Sequence, residues 1–124
     1  MNANRIMVIE DHPDNRRIMS DVLSHAGYEV TEAADAERAM KTIHAARPDL
    51  VVIDVQLPGM DGYQCIGWLR SQPEYKATPV LVVTSYALAG DEARALAAGG
   101  DDYLSKPISP RELVVRVERL LEKG

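Results

Sequence analysis

Disulfide bonds, membrane spans and an export signal are all missing from the sequence. The single cysteine, Cys65, cannot pair within the chain of 124 residues, so a reducing compartment suits it. The purely apolar runs, such as Leu50–Ile53, are far shorter than the roughly 20 residues that cross a bilayer. Met1–Arg5 lacks the basic stretch and apolar core of a secretory signal. We therefore expect a cytoplasmic protein that does not enter a membrane, with Cys65 as a small apolar residue on a helix.

A concentrated basic patch is also missing. Lys and Arg number 14 against 19 Asp and Glu, which gives a formal net charge of −5, and the cations are spread along the chain. Nucleic-acid binding draws much of its affinity from clustered cations that release counterions from phosphates. We therefore expect no direct DNA binding. Internal repeats and low-complexity tracts are absent too, so one ordinary domain is expected over residues 1–124.

What is present is the composition and pattern of an α/β protein. Apolar residues make up 46% of the chain and charged residues 27%, a typical globular mixture. Short runs rich in β-branched residues alternate with longer segments whose apolar residues recur at helical spacing. The predicted strands are Ile6–Ile9, Glu29–Glu32, Leu50–Asp54, Val80–Val83 and Asp101–Leu104. The first, third and fourth are apolar throughout, as in central strands covered on both faces, so the other two should be less buried.

Five helices fill the intervals between and after these strands. The first carries an apolar stripe and ends at Gly27, the second has Asp35 as its N-cap, and the fifth begins at Ser109-Pro110 with Glu112 as the partner of the Ser109 cap. The second, third and fourth span Asp35–Ala46, Gly62–Ser71 and Ala87–Ala98. The stripes that should face the core are Ile18, Met19, Val22, Leu23 and Ala26 in the first helix, and Leu113, Val117, Leu120 and Leu121 in the fifth.

Five β-α units with right-handed crossovers predict a doubly wound, flavodoxin-like parallel sheet in the order 2-1-3-4-5. In such a sheet the binding crevice opens at the carboxyl ends of strands 1 and 3. The polar residues at the strand ends should therefore carry the function.

Polar side chains follow four of the predicted strands and should share one edge of the sheet. Glu10-Asp11 follows the first strand, Asp54 ends the third, Thr84 follows the fourth and Lys106 lies just past the fifth. Converging carboxylates repel one another, so the arrangement favours a bound hard cation with oxygen ligands. Mg²⁺ is the natural candidate, because it binds one or two carboxylates together with a phosphate oxygen.

The same set of residues is suited to phosphoryl transfer. Lys106 and Mg²⁺ would offset charge on the phosphoryl oxygens, Thr84 would donate a hydrogen bond to one of them, and Asp54 would be the nucleophile. Each residue alone has an ordinary explanation as a cap, a loop acid or a surface lysine. Together, at successive strand ends and in the right order, they indicate a phosphoacceptor site.

These residues resemble the signature of bacterial two-component response-regulator receiver domains, from Glu10-Asp11 through Asp54 and Thr84 to Lys106-Pro107. The resemblance extends from Arg5 to Lys123 and includes the loop Asp54–Gly62. It implies that Asp11, Asp54 and the backbone carbonyl of Gln56 bind Mg²⁺ directly, with Glu10 acting through a coordinated water. It also implies a cis-proline after Lys106, and Tyr103 as the aromatic switch residue that turns inward when Thr84 moves toward the phosphate.

The resemblance implies a signalling role. The partner that supplies the phosphoryl group would be a sensor histidine kinase or a histidine phosphotransfer protein, and the protein would be no enzyme beyond assisting its own phosphorylation and dephosphorylation. Gln56 and Tyr86 match positions that tune the lifetime of the phosphoryl group, and both are large here. Output to a protein target is expected through the fourth helix, fifth strand and fifth helix, around Arg94, Tyr103 and Arg116. The chain is similar to single-domain cell-cycle or chemotaxis regulators, or to a receiver from a hybrid kinase.

Three alternatives are open at this point. A haloacid-dehalogenase-type phosphatase also forms an aspartyl phosphate, but needs a second carboxylate where this chain has Gln56. A flavodoxin would place its flavin phosphate against the carboxylates of Glu10–Asp14, which would repel it. A degenerate receiver would lack some of the chemical residues, and all are present. His12 is interpreted as a polar residue at the start of the first helix, because Mg²⁺ prefers oxygen ligands.

Overall fold

A computed structural model describes residues 4–85 and 90–123 and shows a five-stranded parallel sheet. The strands are β1 (Arg5–Ile9), β2 (Glu29–Ala33), β3 (Leu50–Asp54), β4 (Val80–Thr84) and β5 (Asp102–Ser105). Their order across the sheet is β2-β1-β3-β4-β5, so the predicted topology is confirmed. β3 and β4 are buried along their whole length, whereas β2 and β5 are partly exposed, as the apolar runs predicted.

The helices follow the predicted pattern with one clear difference. They are α1 (Pro13–His25), α2 (Ala36–Ala46), α3 (Gly62–Ser71), α4 (Asp91–Ala97) and α5 (Pro110–Lys123). The predicted fourth helix includes Gly90, but Gly90 has a φ of 93° and is the N-cap of α4, outside the right-handed helix. The predicted start at Ala87 lies outside the described residues. Among the described residues, no helix is long and apolar enough to cross a membrane.

Alternation along the strands divides the core between the two faces of the sheet. On one face Met7, Ile9, Val51, Ile53 and Val82 pack with buried residues of α2, α3 and α4. On the other face the intervening residues, Ile6, Val8, Leu50, Val52, Leu81 and Val83, pack with α1 and α5. The unbroken apolar run Leu50–Ile53 in β3 is thus explained by helices on both sides of the sheet. Cys65 is buried on α3 as expected.

The stripe predicted for the first helix is only half right. Met19 and Leu23 are fully buried and Val22 packs against them, but Ile18 is 54% exposed and Ala26 is exposed as well. The helical spacing fitted two adjacent faces of α1, and the helix turns only one of them to the sheet. The stripe of α5 is confirmed, with Leu113, Val117 and Leu120 buried and Leu121 packed beside them.

Arg70 at the end of α3 holds two loops at the amino-terminal edge of the sheet, the one before β4 and the one before β5. Its guanidinium donates to the carbonyl of Gly99 through both Nε and Nη2, and to the carbonyls of Tyr75, Lys76 and Thr78. It also pairs with Asp101 at 2.9 Å, and the same carboxylate oxygen accepts the backbone N–H of Val80 at 2.8 Å. The chain segments that enter β4 and β5 are therefore tied to the end of α3.

Candidate functional site

The predicted site residues meet at the carboxyl-terminal edge of the sheet, where parallel strands end together. Glu10 directly follows β1, Asp54 is the last residue of β3 and Thr84 the last of β4, and Lys106 directly follows β5. Strand register pairs Ile9 with Ile53, and Thr84 with Ser105. These pairings bring the strand ends level, and the crevice lies where the sheet order predicted it.

Three carboxylates form a cluster in this crevice. Ligand oxygens of Glu10, Asp11 and Asp54 all lie within 4.8 Å of one another. Glu10 and Asp54 are 0% and 3% exposed, whereas Asp11 faces solvent. Burial of like charges is unfavourable unless a cation compensates them. An oxygen-only donor set of this kind suits a hard divalent cation with room for waters on the exposed side, so the residues fit Mg²⁺.

Lys106 supplies the positive charge within the described part of the site. Its Nζ donates to Asp54 Oδ2 at 2.7 Å and to Glu10 Oε1 at 2.5 Å, with the lysine side chain only 12% exposed. Burial lowers the pKa of Lys106, but the hydrogen bonds to Asp54 and Glu10 outweigh it and raise that pKa above its ordinary value. The ammonium therefore stays charged at neutral pH.

Glu10 titrates differently from an ordinary glutamate. Burial raises its pKa to about 7, with Lys106 opposing the rise and Asp54 adding to it. The side chain is held at both oxygens, since Oε2 accepts the backbone N–H of His12 at 3.3 Å. His12 is exposed at the N-cap of α1, as predicted, and enters the site through its backbone.

Asp54 is held at both carboxylate oxygens. Oδ2 accepts from Lys106, and Oδ1 accepts the backbone N–H of Gln56 at 2.8 Å. Gln56 is exposed to solvent. The predicted roles of Gln56, as a carbonyl ligand and as a residue that tunes lifetime, stay predictions.

The proposed switch residues lie on the neighbouring strands. Thr84 is 1% exposed, and its carbonyl accepts the backbone N–H of Lys106 at 2.7 Å, which links the ends of β4 and β5. Tyr103 is half-buried and packs against the core on the α2–α3–α4 face. The peptide bond between Lys106 and Pro107 is cis, as the resemblance implied. Tyr86 lies outside the described residues.

Sequence reasoning overlooked two residues that support the site. Gly62 opens α3 so close to β3 that a Cβ there would lie 2.5 Å from the carbonyl oxygen of Asp54. Arg16 on α1 donates from Nη1 to the carbonyl oxygen of Glu10 at 2.9 Å. Gly62 stood as the end of a loop motif and the start of the predicted third helix, and Arg16 had the pattern of a surface helix residue. A side chain that bonds to a backbone carbonyl leaves no periodic signal in the sequence.

The predicted output surface contains ordered ionic contacts. Arg116 of α5 pairs with Asp102 of β5 at 2.8 Å and approaches the carbonyl of Tyr103 at 3.4 Å. The Arg94 guanidinium of α4 stacks 4.6 Å above the ring of Tyr63 on α3. These contacts join α5 to β5 and α4 to α3.

A cavity of about 460 Å³ opens beside Lys106. It is lined by Asn15 and Ile18 of α1 and by Ser85, Pro107 and Ile108 from the loops after β4 and β5. The exposed Ile18 is therefore part of the wall of this opening rather than of the core.

Known proteins share this sequence and architecture. A family model for the response regulator receiver domain matches residues 6–118. The polar-differentiation response regulator DivK of Brucella anthropi is 33% identical over 116 residues, which cover 94% of each chain. The chemotaxis protein CheY4 of Vibrio cholerae superimposes with a TM-score of 0.91 at 31% identity, over 96% of this chain and 99% of that one.

A further solved structure bears on the metal. The receiver domain of a sensor histidine kinase from Pseudomonas aeruginosa has a magnesium ion coordinated in its active-site cleft. It is 33% identical, with a TM-score of 0.89, over 98% of this chain and 99% of that one. Other curated relatives are longer transcriptional regulators, and the chain spans 50% to 53% of their length.

Proposed function

Because this chain belongs to the family of response regulator receiver domains, signalling domains that accept a phosphoryl group, we propose that Asp54 is its phosphoacceptor. One observation carries the assignment: a single buried ammonium, Lys106 Nζ, bonds to Asp54 at 2.7 Å beside two further carboxylates. This is the arrangement that phosphoryl transfer to a carboxylate needs, with charge compensation already aimed at the acceptor.

In the transfer, a carboxylate oxygen of Asp54 forms a bond to phosphorus. The bond from phosphorus to the donor atom breaks at the same centre, and the leaving group keeps that electron pair. The product is an acyl phosphate on Asp54. Lys106 offsets the negative charge on the transferred group. Thr84, at the end of the next strand, donates a hydrogen bond from its hydroxyl to a phosphoryl oxygen. The domain would in this way assist its own phosphorylation and dephosphorylation without acting as an enzyme on another substrate.

Mg²⁺ is the proposed cofactor. Asp11, Asp54 and the backbone carbonyl of Gln56 would bind it directly, and Glu10 through a water. Bound there, the ion would neutralise charge on the phosphoryl oxygens. The acidic cluster supports this proposal, as does the magnesium ion in the Pseudomonas aeruginosa relative.

The phosphoryl donor would be a sensor histidine kinase or a histidine phosphotransfer protein, as for the family. Output would pass to a protein target through α4, β5 and α5, with Thr84 and Tyr103 as the switch pair and without direct DNA binding. Residues 1–124 would form one receiver domain. That the protein acts in the cytoplasm remains a prediction from its sequence.

Gln56 and Tyr86 are proposed to lengthen the lifetime of the phosphoryl group by standing between phosphorylated Asp54 and solvent. Hydrolysis needs a water in line with the breaking bond, and misplacing an attacking group lowers rates by orders of magnitude. Loss of the phosphoryl group from wild type and Tyr86→Ala should be timed side by side in Mg²⁺. Faster loss from the alanine variant is expected, and equal lifetimes would exclude shielding by the ring.

Intact-mass measurement tests the acceptor and the metal together. With a small acyl phosphate as donor and Mg²⁺ present, the wild type should gain one phosphoryl group. Asp54→Ala should gain none, whereas Asp21→Ala, which removes an exposed carboxylate from α1, should behave as wild type. An added phosphoryl group on Asp54→Ala would exclude Asp54 as the acceptor, and labelling unaffected by a chelator would exclude the metal.

A further inference from the structure

The acidic loop after β1 is held by a side chain with no part in the chemistry described so far. Arg16 projects from the first turns of α1, and its Nη1 donates to the carbonyl oxygen of Glu10 at 2.9 Å. Its Nε pairs with Glu32 Oε1 of β2 at 3.2 Å. The guanidinium therefore connects α1, β2 and the loop that follows β1. That loop carries Glu10 and Asp11, two residues of the proposed metal site.

The carbonyl of Glu10 controls where Asp11 goes. The Glu10 N–H still bonds to the Ala33 carbonyl at 3.1 Å, so that side of the residue continues the pairing of β1 with β2. Its carbonyl belongs to the next peptide unit, which is planar and contains the Cα of Asp11. A donor that holds the carbonyl oxygen thus fixes the plane, and the plane fixes the direction in which Asp11 departs.

Asp11 depends on such indirect support. It is exposed, unlike Glu10 and Asp54, which are buried and hydrogen-bonded to Lys106. Its carboxylate reaches within 4.8 Å of theirs only if the backbone presents it correctly. The Arg16 side chain is 21% exposed, and its hydrogen bond to the Glu10 carbonyl is partly buried, whereas its bond to Glu32 is open to solvent.

We infer that Arg16 is a positioning residue for metal binding, which sets the peptide plane between Glu10 and Asp11 and thereby the ligand geometry for Mg²⁺. The inference rests on the metal site proposed above. Glu32 contributes to this role because its carboxylate balances the positive charge of Arg16. The guanidinium can then hold the Glu10 carbonyl without adding a net positive charge that would repel Mg²⁺.

The direction in which Mg²⁺ affinity changes on substitution of Arg16 distinguishes a positioning role from a purely electrostatic one. Coulomb repulsion between Arg16 and Mg²⁺ would disappear on substitution, so a purely electrostatic role predicts tighter metal binding in Arg16→Met. Loss of positioning predicts weaker binding instead. Groups that orient metal ligands through hydrogen bonds typically change affinity about 10- to 100-fold when removed.

Arg17 provides a matched control on the same helix. It carries the same charge one residue further along but is 83% exposed, and its ion pair among the described residues is with Asp21, at 3.9 Å within α1. Arg16→Met and Arg17→Met remove the same group and the same charge from adjacent positions. Only the first substitution frees the carbonyl of Glu10.

Calorimetric titration of the whole chain with Mg²⁺ should show binding about tenfold weaker in Arg16→Met than in wild type. Arg17→Met should bind as wild type does. Phosphorylation by a small acyl phosphate gives a second measurement that a general loss of stability would not reproduce. Half-saturation with Mg²⁺ should shift upward about tenfold in Arg16→Met, while the maximal rate at saturating Mg²⁺ stays at the wild-type value.

Arg16→Lys keeps the charge but lacks the planar fork that reaches Glu10 and Glu32 together, so it should also bind Mg²⁺ more weakly than wild type. It serves in place of the methionine variant if that protein fails to fold. Unchanged or tighter Mg²⁺ binding in the Arg16 variants, or equal weakening in Arg17→Met, would overturn the inference. A wild type that binds no Mg²⁺ would instead remove the proposed metal site, and the inference with it.

Discussion

Lys106 shares one positive charge between two buried carboxylates, Glu10 and Asp54, that also belong to the proposed metal site. The ammonium and Mg²⁺ therefore offset the same negative charge. Two unit charges 4 Å apart interact by about 4 kcal/mol at an effective dielectric constant of 20, although solvent and side-chain movement reduce this. The lysine should accordingly weaken Mg²⁺ binding even while it supports phosphoryl transfer.

Lys106→Met is expected to bind Mg²⁺ about tenfold more tightly than wild type, equivalent to about 1.4 kcal/mol. The reason is that the metal no longer competes with the ammonium for Glu10 and Asp54. Titration calorimetry measures the change, with Lys76→Met as a control at an exposed position. Weaker binding in Lys106→Met would mean that the lysine holds the carboxylates in place more than it competes for them.

At this scale the sequence was enough to bring together the residues proposed to carry the chemistry, because each of them ends or directly follows a recognisable strand. Glu10, Asp54 and Lys106 come together as the strand ends predicted. Their supports could not be found in this way. Arg16 acts through a backbone carbonyl and Gly62 through the absence of a side chain, and neither contact depends on a repeating pattern.

At the scale of elements, the start of α3 packs closely against the end of β3, next to the backbone of the proposed acceptor Asp54. Gly62 donates its N–H to the Val55 carbonyl at 3.1 Å, and a Cβ on Gly62 would meet both the Asp54 carbonyl oxygen and the Val55 Cα at 2.5 Å. Both obstructing atoms are backbone, so they can yield only if helix or strand moves. The start of α3 is therefore fitted to the acceptor strand.

Gly62→Ala should lower the free energy of unfolding by about 1–3 kcal/mol, because overpacking displaces helix or strand. Gly67→Ala lies in the same helix, where a Cβ would meet nothing within 4 Å, and should raise stability by about 0.5–1 kcal/mol through helix propensity. Urea unfolding of the two variants measures both effects. Equal responses in the two variants would show that α3 shifts to accommodate the methyl group at no cost.

Most element boundaries could be predicted, and the misses have local causes. Asp35 accepts the N–H of Arg38 at 2.7 Å and caps α2 as predicted. The Ser109 hydroxyl oxygen accepts the N–H of Glu112 at 3.4 Å, as expected of the predicted cap. The Glu112 carboxylate, which was predicted to be the partner of this cap, accepts a hydrogen bond from Arg116. Gly90 interrupts an alanine-rich stretch whose composition favours helix, so the left-handed φ there could not be seen in helix propensity.

At the scale of the whole molecule, the proposed output through α4, β5 and α5 would require that a change at Asp54 reach these elements. The Lys106 N–H bonds to the Thr84 carbonyl at 2.7 Å, and Tyr103 lies on β5, the strand that ends just before Lys106. The proposed acceptor and the proposed switch residues are therefore only a few contacts apart.

Beryllium fluoride, a phosphoryl mimic, should shift the backbone resonances of Ser85 and Tyr103 in the wild type with Mg²⁺. In Lys106→Ala the mimic should still bind, but those shifts should be much smaller, because the lysine that joins the acceptor to β5 is missing. His44 and Tyr75, which meet at 3.1 Å away from this edge, serve as internal controls. Shifts at Ser85 and Tyr103 as large in Lys106→Ala as in wild type would exclude the lysine from the switch.

Arg70 should make the amino-terminal edge of the sheet resistant to local opening. Exposing the Val80 or Asp101 amide to solvent requires breaking charge-assisted hydrogen bonds that also hold Gly99 and Thr78, so these amides should exchange with solvent deuterium only in rare, large openings. We expect Arg70→Met to speed the exchange of both amides and to leave the exchange of the Thr84 amide unchanged. This half of the domain would then stay fixed while the opposite edge, which contains the proposed site, changes.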